Sequence, residues 1–172
     1  MKLVIIFFIL ILFSISIKAE NIATIRLSYI IDNSYEFKNF LNNLDKIKLK
    51  YFSELKDQEK ILEKRKKEIE GSIMLFNDEE YNKLVKNFDN DANSYLIKVE
   101  KYENYINQNI EINEKKILES ISLILKEYSN KNDLDLILNE DQYFISSNSL
   151  DISDIIIEEL NNKKLDLKII EK

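Results

Sequence analysis

A single glycine, Gly71, and no proline punctuate a chain of 172 residues. Glycine and proline are the residues that most often end or kink a helix. A chain almost without them can stay helical over long distances, and Gly71 marks the expected bend between two such runs. Before it, Leu41, Leu44, Lys48, Tyr51, Leu55, Gln58, Leu62, Arg65 and Ile69 recur at alternating steps of three and four, which places them on one stripe of a helix. After it, Tyr81, Leu84, Phe88, Ala92, Tyr95, Val99, Tyr102, Ile106, Asn109, Asn113, Ile117, Ile121, Ile124 and Tyr128 hold the same period. Two helices of matching period joined at one bend predict an antiparallel coiled-coil hairpin. Arms of about 35–40 residues would be roughly 55–60 Å long. Asn77, three residues before Glu80, is a variant of the capping box and predicts a fresh helix start within a tip at residues 71–80.

The ends of the chain read differently. Residues 21–27 are β-branched and bounded by polar residues, which predicts a strand. Residues 134–138 and 142–146 predict two more, joined as a hairpin through Asn139-Glu140-Asp141. Asp151 and Ser153 are candidate caps for a last helix over residues 154–161, and the alternation of Leu165, Leu167 and Ile169 leaves the tail as a further strand or a frayed end. The expected fold is therefore mostly α with a small β head. The head combines residues 20–33 and 129–172, and the hairpin arm, residues 34–128, is inserted between the short strands. Three short strands leave open edges, and self-association is the simple way to cover them. Lys48, Gln58, Arg65, Asn109 and Asn113 interrupt the apolar stripes. Such residues are expected to set register and to keep the arms flexible.

Composition bounds the compartment and the chemistry. Residues 3–13 are uninterruptedly apolar behind Met1-Lys2, and Lys18-Ala19-Glu20 follows with the small Ala19 at a cleavage position. This is the layout of a secretory signal peptide over residues 1–19. The rival reading, an uncleaved anchor, has fewer uncharged residues than the roughly 20 that a spanning helix needs. The net charge is −6, and losing Lys2 and Lys18 with the leader makes the remainder more acidic. That argues against nucleic acid as a partner, because phosphate neutralisation dominates such binding, and it leaves membrane contact in doubt. With no Cys and no His, disulfides, Ser-His or Cys-His catalysis and ordinary zinc sites are excluded. One glycine cannot build the phosphate-cradling loops of nucleotide-binding proteins. No catalytic residue, metal site or cofactor is expected.

Three motifs admit both a functional and a plainer reading. Asp89, Asp91, Asn93 and Glu100 fall on calcium-loop positions, but Ser94 stands where the loop needs glycine, and the helical stripe runs through them. An acidic helix face is the stronger reading. Lys64-Arg65-Lys66-Lys67 is flanked by Glu63, Glu68 and Glu70, so a solvated face outweighs a lipid or acidic-client contact. Ile73-Met74-Leu75-Phe76 either seals the tip or offers an adaptable apolar patch to unfolded chains.

The order of these parts resembles the OmpH/Skp family of periplasmic chaperones. Asn21-Ile22-Ala23-Thr24-Ile25-Arg26-Leu27, followed by Ile30-Ile31, looks like the family's opening strand and helix start. Phe76-Asn77-Asp78-Glu79-Glu80-Tyr81 looks like its tip. Leu134-Asp135-Leu136-Ile137-Leu138, Tyr143-Phe144-Ile145 and Ser149-Leu150-Asp151-Ile152-Ser153-Asp154-Ile155-Ile156 are similar to its closing segment, the last most specifically. The resemblance implies a periplasmic homotrimer joined through a shared β core. Its arms would enclose a cavity in which unfolded outer-membrane proteins are held without ATP. On that reading Ile69, Ile73, Met74, Phe76 and Tyr81 contact clients, while Ile22, Ile25, Leu136, Leu138, Phe144 and Ile145 build the oligomeric head. A structural coiled-coil spacer or adaptor in the envelope is the alternative. The chain departs from the family in its acidity, in Asn132-Asp133 where glycine is common, and in a tail running beyond the usual end.

Overall fold

A computed structural model describes residues 20–170; the export signal expected at residues 1–19 lies outside the described residues. The elements in order are β1 (Ile22–Ile25), α1 (Leu27–Asp32), α2 (Tyr35–Ser72), α3 (Asp78–Lys131), β2 (Leu136–Asn139), a 3-10 turn (Asn148–Leu150) and α4 (Ser153–Asn162). With 38 and 54 residues, α2 and α3 extend about 57 and 81 Å at 1.5 Å per residue.

Local chemistry sets where the long helices begin and end. Ser34 caps α2, its hydroxyl accepting the Phe37 N–H at 3.4 Å. Asn77 caps α3 by accepting the Glu80 N–H at 2.9 Å, and Asp78, Glu79 and Glu80 occupy the first turn, where negative charge opposes the positive end of the helix dipole. At the far end the Leu134 N–H donates to the Ser129 carbonyl at 3.0 Å while Asp133 takes φ 52°. This is the left-handed helix stop usually built with glycine, here made with aspartate. Gly71 does not make the bend. It lies inside the last turn of α2, has no positive φ, and an added Cβ there would meet nothing within 4 Å. The chain turns instead at residues 73–77, where the Leu75 N–H donates to the Ser72 carbonyl at 2.8 Å before Asn77 restarts the helix.

The two long helices pack on each other through the stripes read from the sequence. Tyr51 stacks on Tyr102 with ring centroids 3.9 Å apart, Lys98 approaches Glu54 at 4.0 Å, and Arg65 pairs with Asp91. Partners climb on α2 as they descend on α3. Burial along the pair is uneven. Phe37, Phe40 and Leu44 of α2 and Ile106, Ile117, Ile121 and Ile124 of α3 join Ala23, Ile25, Ile30, Ile152, Ile156, Leu160 and Leu165 in one core. Towards the bend, Tyr51, Leu55, Leu62, Tyr81, Leu84 and Phe88 are only partly buried.

The sheet differs from the expected hairpin. β1 pairs in parallel with β2, from Ile22 opposite Leu136 to Ile25 opposite Asn139. Parallel neighbours need a long crossover, and both long helices together supply it. On the other edge of β1, the Ile152 N–H donates to the Thr24 carbonyl at 3.0 Å, next to a bridge between Thr24 and Asp151. Residues 142–146 form no strand. The Asn139 N–H donates to the Gln142 side chain at 3.0 Å and the Asn139 amide to Asp141 at 2.9 Å, which closes a tight turn. Phe144 and Ile145 then point into solvent, 103% and 89% exposed. Their composition suits a strand, but β1 has both edges already taken within the chain.

The tail is neither a sheet strand nor a frayed end. Residues 164–170 run extended along α3. Asn113 accepts the Lys168 N–H and donates to the Lys168 carbonyl, both at 3.0 Å. Asn109 accepts the Ile170 N–H at 2.7 Å. Both asparagines are buried, 1% and 0% exposed. Their place on the stripe is explained by docking the tail, not by loosening the helix pair.

Candidate functional site

The surface most unlike an ordinary solvated helix pair lies between the head core and the bend. An open groove of about 770 Å³ runs over the helices, walled by Leu49, Tyr51, Phe52 and Leu55 of α2 and by Val99, Tyr102, Ile106 and Ile110 of α3. Leu49 and Phe52 are 69% and 64% exposed, so large apolar side chains face water in a groove that Asp45, Lys48, Glu103 and Asn107 also line. The aromatic floor is held by its own polar contacts. The Tyr102 hydroxyl donates to Glu54 at 3.2 Å, Tyr105 meets Tyr51 edge-on at 5.8 Å, and the Lys98 ammonium lies 5.7 Å from the Tyr102 ring. Burial, then the hydrogen bond and charge of Glu54, raise the Tyr102 hydroxyl above its usual pKa, so it stays a neutral donor through the physiological range.

At the bend the expected residues divide. Ile69 and Phe76 line a second hollow of about 640 Å³ with Arg65, Glu68, Leu84 and Asp91. Ile73 and Met74 stand outside it, 57% and 94% exposed, as does Leu75 at 79%. Tyr81 is half-buried and is not among the residues of that hollow. The sequence pattern missed Leu49 and Phe52. Both lie off the heptad stripe, and apolar residues at positions that a plain coiled coil fills with charge were the available signal.

Three residues of the basic run are ion-paired: Lys64 with Glu68 at 3.7 Å, Lys66 with Glu70 at 4.0 Å, and Arg65 with Asp91 across the helices. Exposed pairs of this kind contribute little individually. Residues 89–100 are continuous helix within α3, so the loop that would gather calcium ligands does not form, and no group of His, Cys, Asp or Glu suited to a metal occurs among the described residues.

In the head, a polar latch closes the second edge of β1. Arg26 Nε donates to Asp151 Oδ2 at 2.8 Å, the Arg26 N–H donates to Ser153 Oγ at 2.8 Å, and the Ser153 N–H donates to Asp151 Oδ1 at 2.9 Å. Arg26 also covers the Tyr29 ring at 4.0 Å. Burial alone would raise the Asp151 pKa; the Ser153 hydrogen bonds and then Arg26 overcome it and hold the carboxyl below its ordinary range. This assigns a structural role to Asp151-Ile152-Ser153-Asp154. Of the residues expected at an oligomeric interface, Ile25 is buried in the chain's own core and Ile22 and Leu138 are half-buried. Leu136, 47% exposed, lies on the free edge strand, and Phe144 and Ile145 face solvent.

A model of the family described as outer membrane protein (OmpH-like) matches residues 21–160. The chain belongs to the OmpH-like family. Among solved structures, one described as a candidate outer membrane chaperone (OmpH-like) from Caulobacter crescentus CB15 superposes with a TM-score of 0.71. It is 11% identical, and the match covers 83% of this chain and 85% of that one. At that identity the likeness establishes the fold. No curated protein matches the sequence.

Proposed function

We propose that the protein is a periplasmic holdase chaperone for unfolded outer-membrane proteins, acting without ATP as a homotrimer of antiparallel coiled-coil arms. The observation that carries this reading is the partition of apolar surface. Most core residues lie in the head, which leaves Leu136, Phe144 and Ile145 exposed, whereas the paired helices beyond it carry little core and expose Leu49, Phe52, Ile61, Leu96 and Ile97 along their length and Ile73, Met74 and Leu75 at the bend. Apolar exposure on this scale marks interaction surfaces. Spread along two helices, it suits many weak contacts with a chain that has no fixed shape. Family membership and the described role of the Caulobacter neighbour support the same reading.

The trimer is supported by the free edge of β2, which carries the exposed Leu136, and by the exposed Phe144 and Ile145 elsewhere in the head, since an unpaired edge is a template for association. Export through the leader at residues 1–19 places the protein where such clients travel. Ile69, Ile73, Met74, Phe76 and Tyr81 are the proposed contacts at the tip, joined by Leu49 and Phe52 in the groove. The division into a head (residues 20–33 and 129–172) and an arm (residues 34–128) follows the same reading.

Light scattering on the purified protein is expected to give a trimer mass, and the protein is expected to suppress aggregation of a urea-denatured porin without nucleotide. A monomer with no effect on porin aggregation would sink the proposal.

A further inference from the structure

The tail lies beyond the family match, which stops at residue 160, yet it is tied to α3 by a regular series of long-range hydrogen bonds. Its rungs on α3 are Lys116 Nζ to the Asp166 carbonyl at 2.7 Å, Asn113 to the Lys168 N–H and carbonyl, and Asn109 to the Ile170 N–H. Every rung reaches main chain, so none reads the identity of a tail side chain. The spacing follows from geometry. Four residues of helix rise about 6 Å and two residues of extended chain about 6.6 Å, so helix positions 113 and 109 meet tail positions 168 and 170. Between the rungs Leu165, Leu167 and Ile169 turn towards the core. The sequence requirement is only an extended chain with alternate apolar residues. A membrane β-strand has that pattern, because lipid-facing and lumen-facing residues alternate along it.

The tail runs towards the arm. Its last described residue, Ile170, sits opposite Asn109, and the apolar groove begins within one turn of that point, at Ile110 and Ile106. The groove thus lies on the stretch of α3 next to the tail's last rung.

We propose that Asn109 and Asn113 form a main-chain-reading site for an extended segment with alternate apolar residues. Residues 164–170 are its built-in occupant, displaced when an unfolded β-barrel segment lies along α3. The site itself stands on the hydrogen bonding above; its displacement by clients rests on the holdase reading.

The test uses a fluorescent synthetic peptide of residues 163–172 and the Lys168→Pro/Ile170→Pro variant, which keeps the tail but removes the two N–H groups that the asparagines accept. The variant is expected to bind the peptide at least tenfold more tightly than the wild type, and to bind urea-diluted porin more tightly. Equal peptide affinity in the two proteins would overturn the site. Porin binding equally to both would overturn the competition, whereas porin binding to neither would instead overturn the holdase reading. Hydrogen exchange on the wild type gives a readout independent of how the variant folds. Bound porin should deprotect the Lys168 and Ile170 amides, and unchanged protection with porin bound would rule out displacement.

Discussion

Gly71 occupies helical backbone with open space where a Cβ would go. Glycine in a helix is about 0.8–1 kcal/mol less favourable than alanine, so Gly71→Ala is expected to raise stability by about 0.5–1 kcal/mol in urea unfolding, discounted for its place in the last turn. A loss of stability would mean that the bend needs glycine after all. Asp151 has the opposite character, a residue whose side chain is fully engaged. Its folded pKa is depressed, so its contribution is complete above the unfolded value of about 3.9 and is lost as pH falls through the lower folded value. Acid unfolding below about pH 4 is expected to be shallower in Asp151→Asn, which no longer titrates there. Parallel acid limbs for the two proteins would remove the latch from the account. The caps at Ser34 and Asn77 belong to this scale too, and were legible because a cap acts within three residues of itself.

Among the elements, α4 and the two long helices bury apolar residues to different degrees. α4 inserts Ile156 and Leu160, both 0% exposed, into the head. Leu160→Ala should cost about 2–5 kcal/mol, the range for cavities in packed cores. Leu96→Ala, at a position 61% exposed on α3, should change stability by no more than about 0.5 kcal/mol. Urea titrations of the two variants test the contrast, and comparable losses would contradict the division between a packed head and an open arm. The helices and their stripes could be read from periodicity because each residue's neighbours lie three or four places away. The strand expected at residues 142–146 does not form, for a related reason. β-branched and aromatic composition describes what can pair, but pairing also needs a vacant edge, and both edges of β1 are taken by β2 and by residues 151–152.

For the molecule as a whole, packing is densest where α2 and α3 meet the head and thins towards the bend. Amide protection tracks local burial and opening free energy. Hydrogen exchange is therefore expected to be slowest around residues 117–124, intermediate near Tyr102, and fastest across residues 70–80. Uniformly slow exchange along both long helices would contradict this gradient and the proposed adaptable arm.

The sequence alone determined the two long helices, their stripes and caps, the first strand, and the resemblance to the OmpH-like family. All of these rest on local spacing or on a run of consecutive residues. Only the tertiary structure decided that β1 and β2 run parallel, that Leu49 and Phe52 wall a groove, and that Asn109 and Asn113 hold the tail. Each of those depends on groups tens of residues apart arriving at one place. An asparagine on a helix stripe reads the same whether it loosens a seam or grips a passing main chain, until the chain it grips is in position.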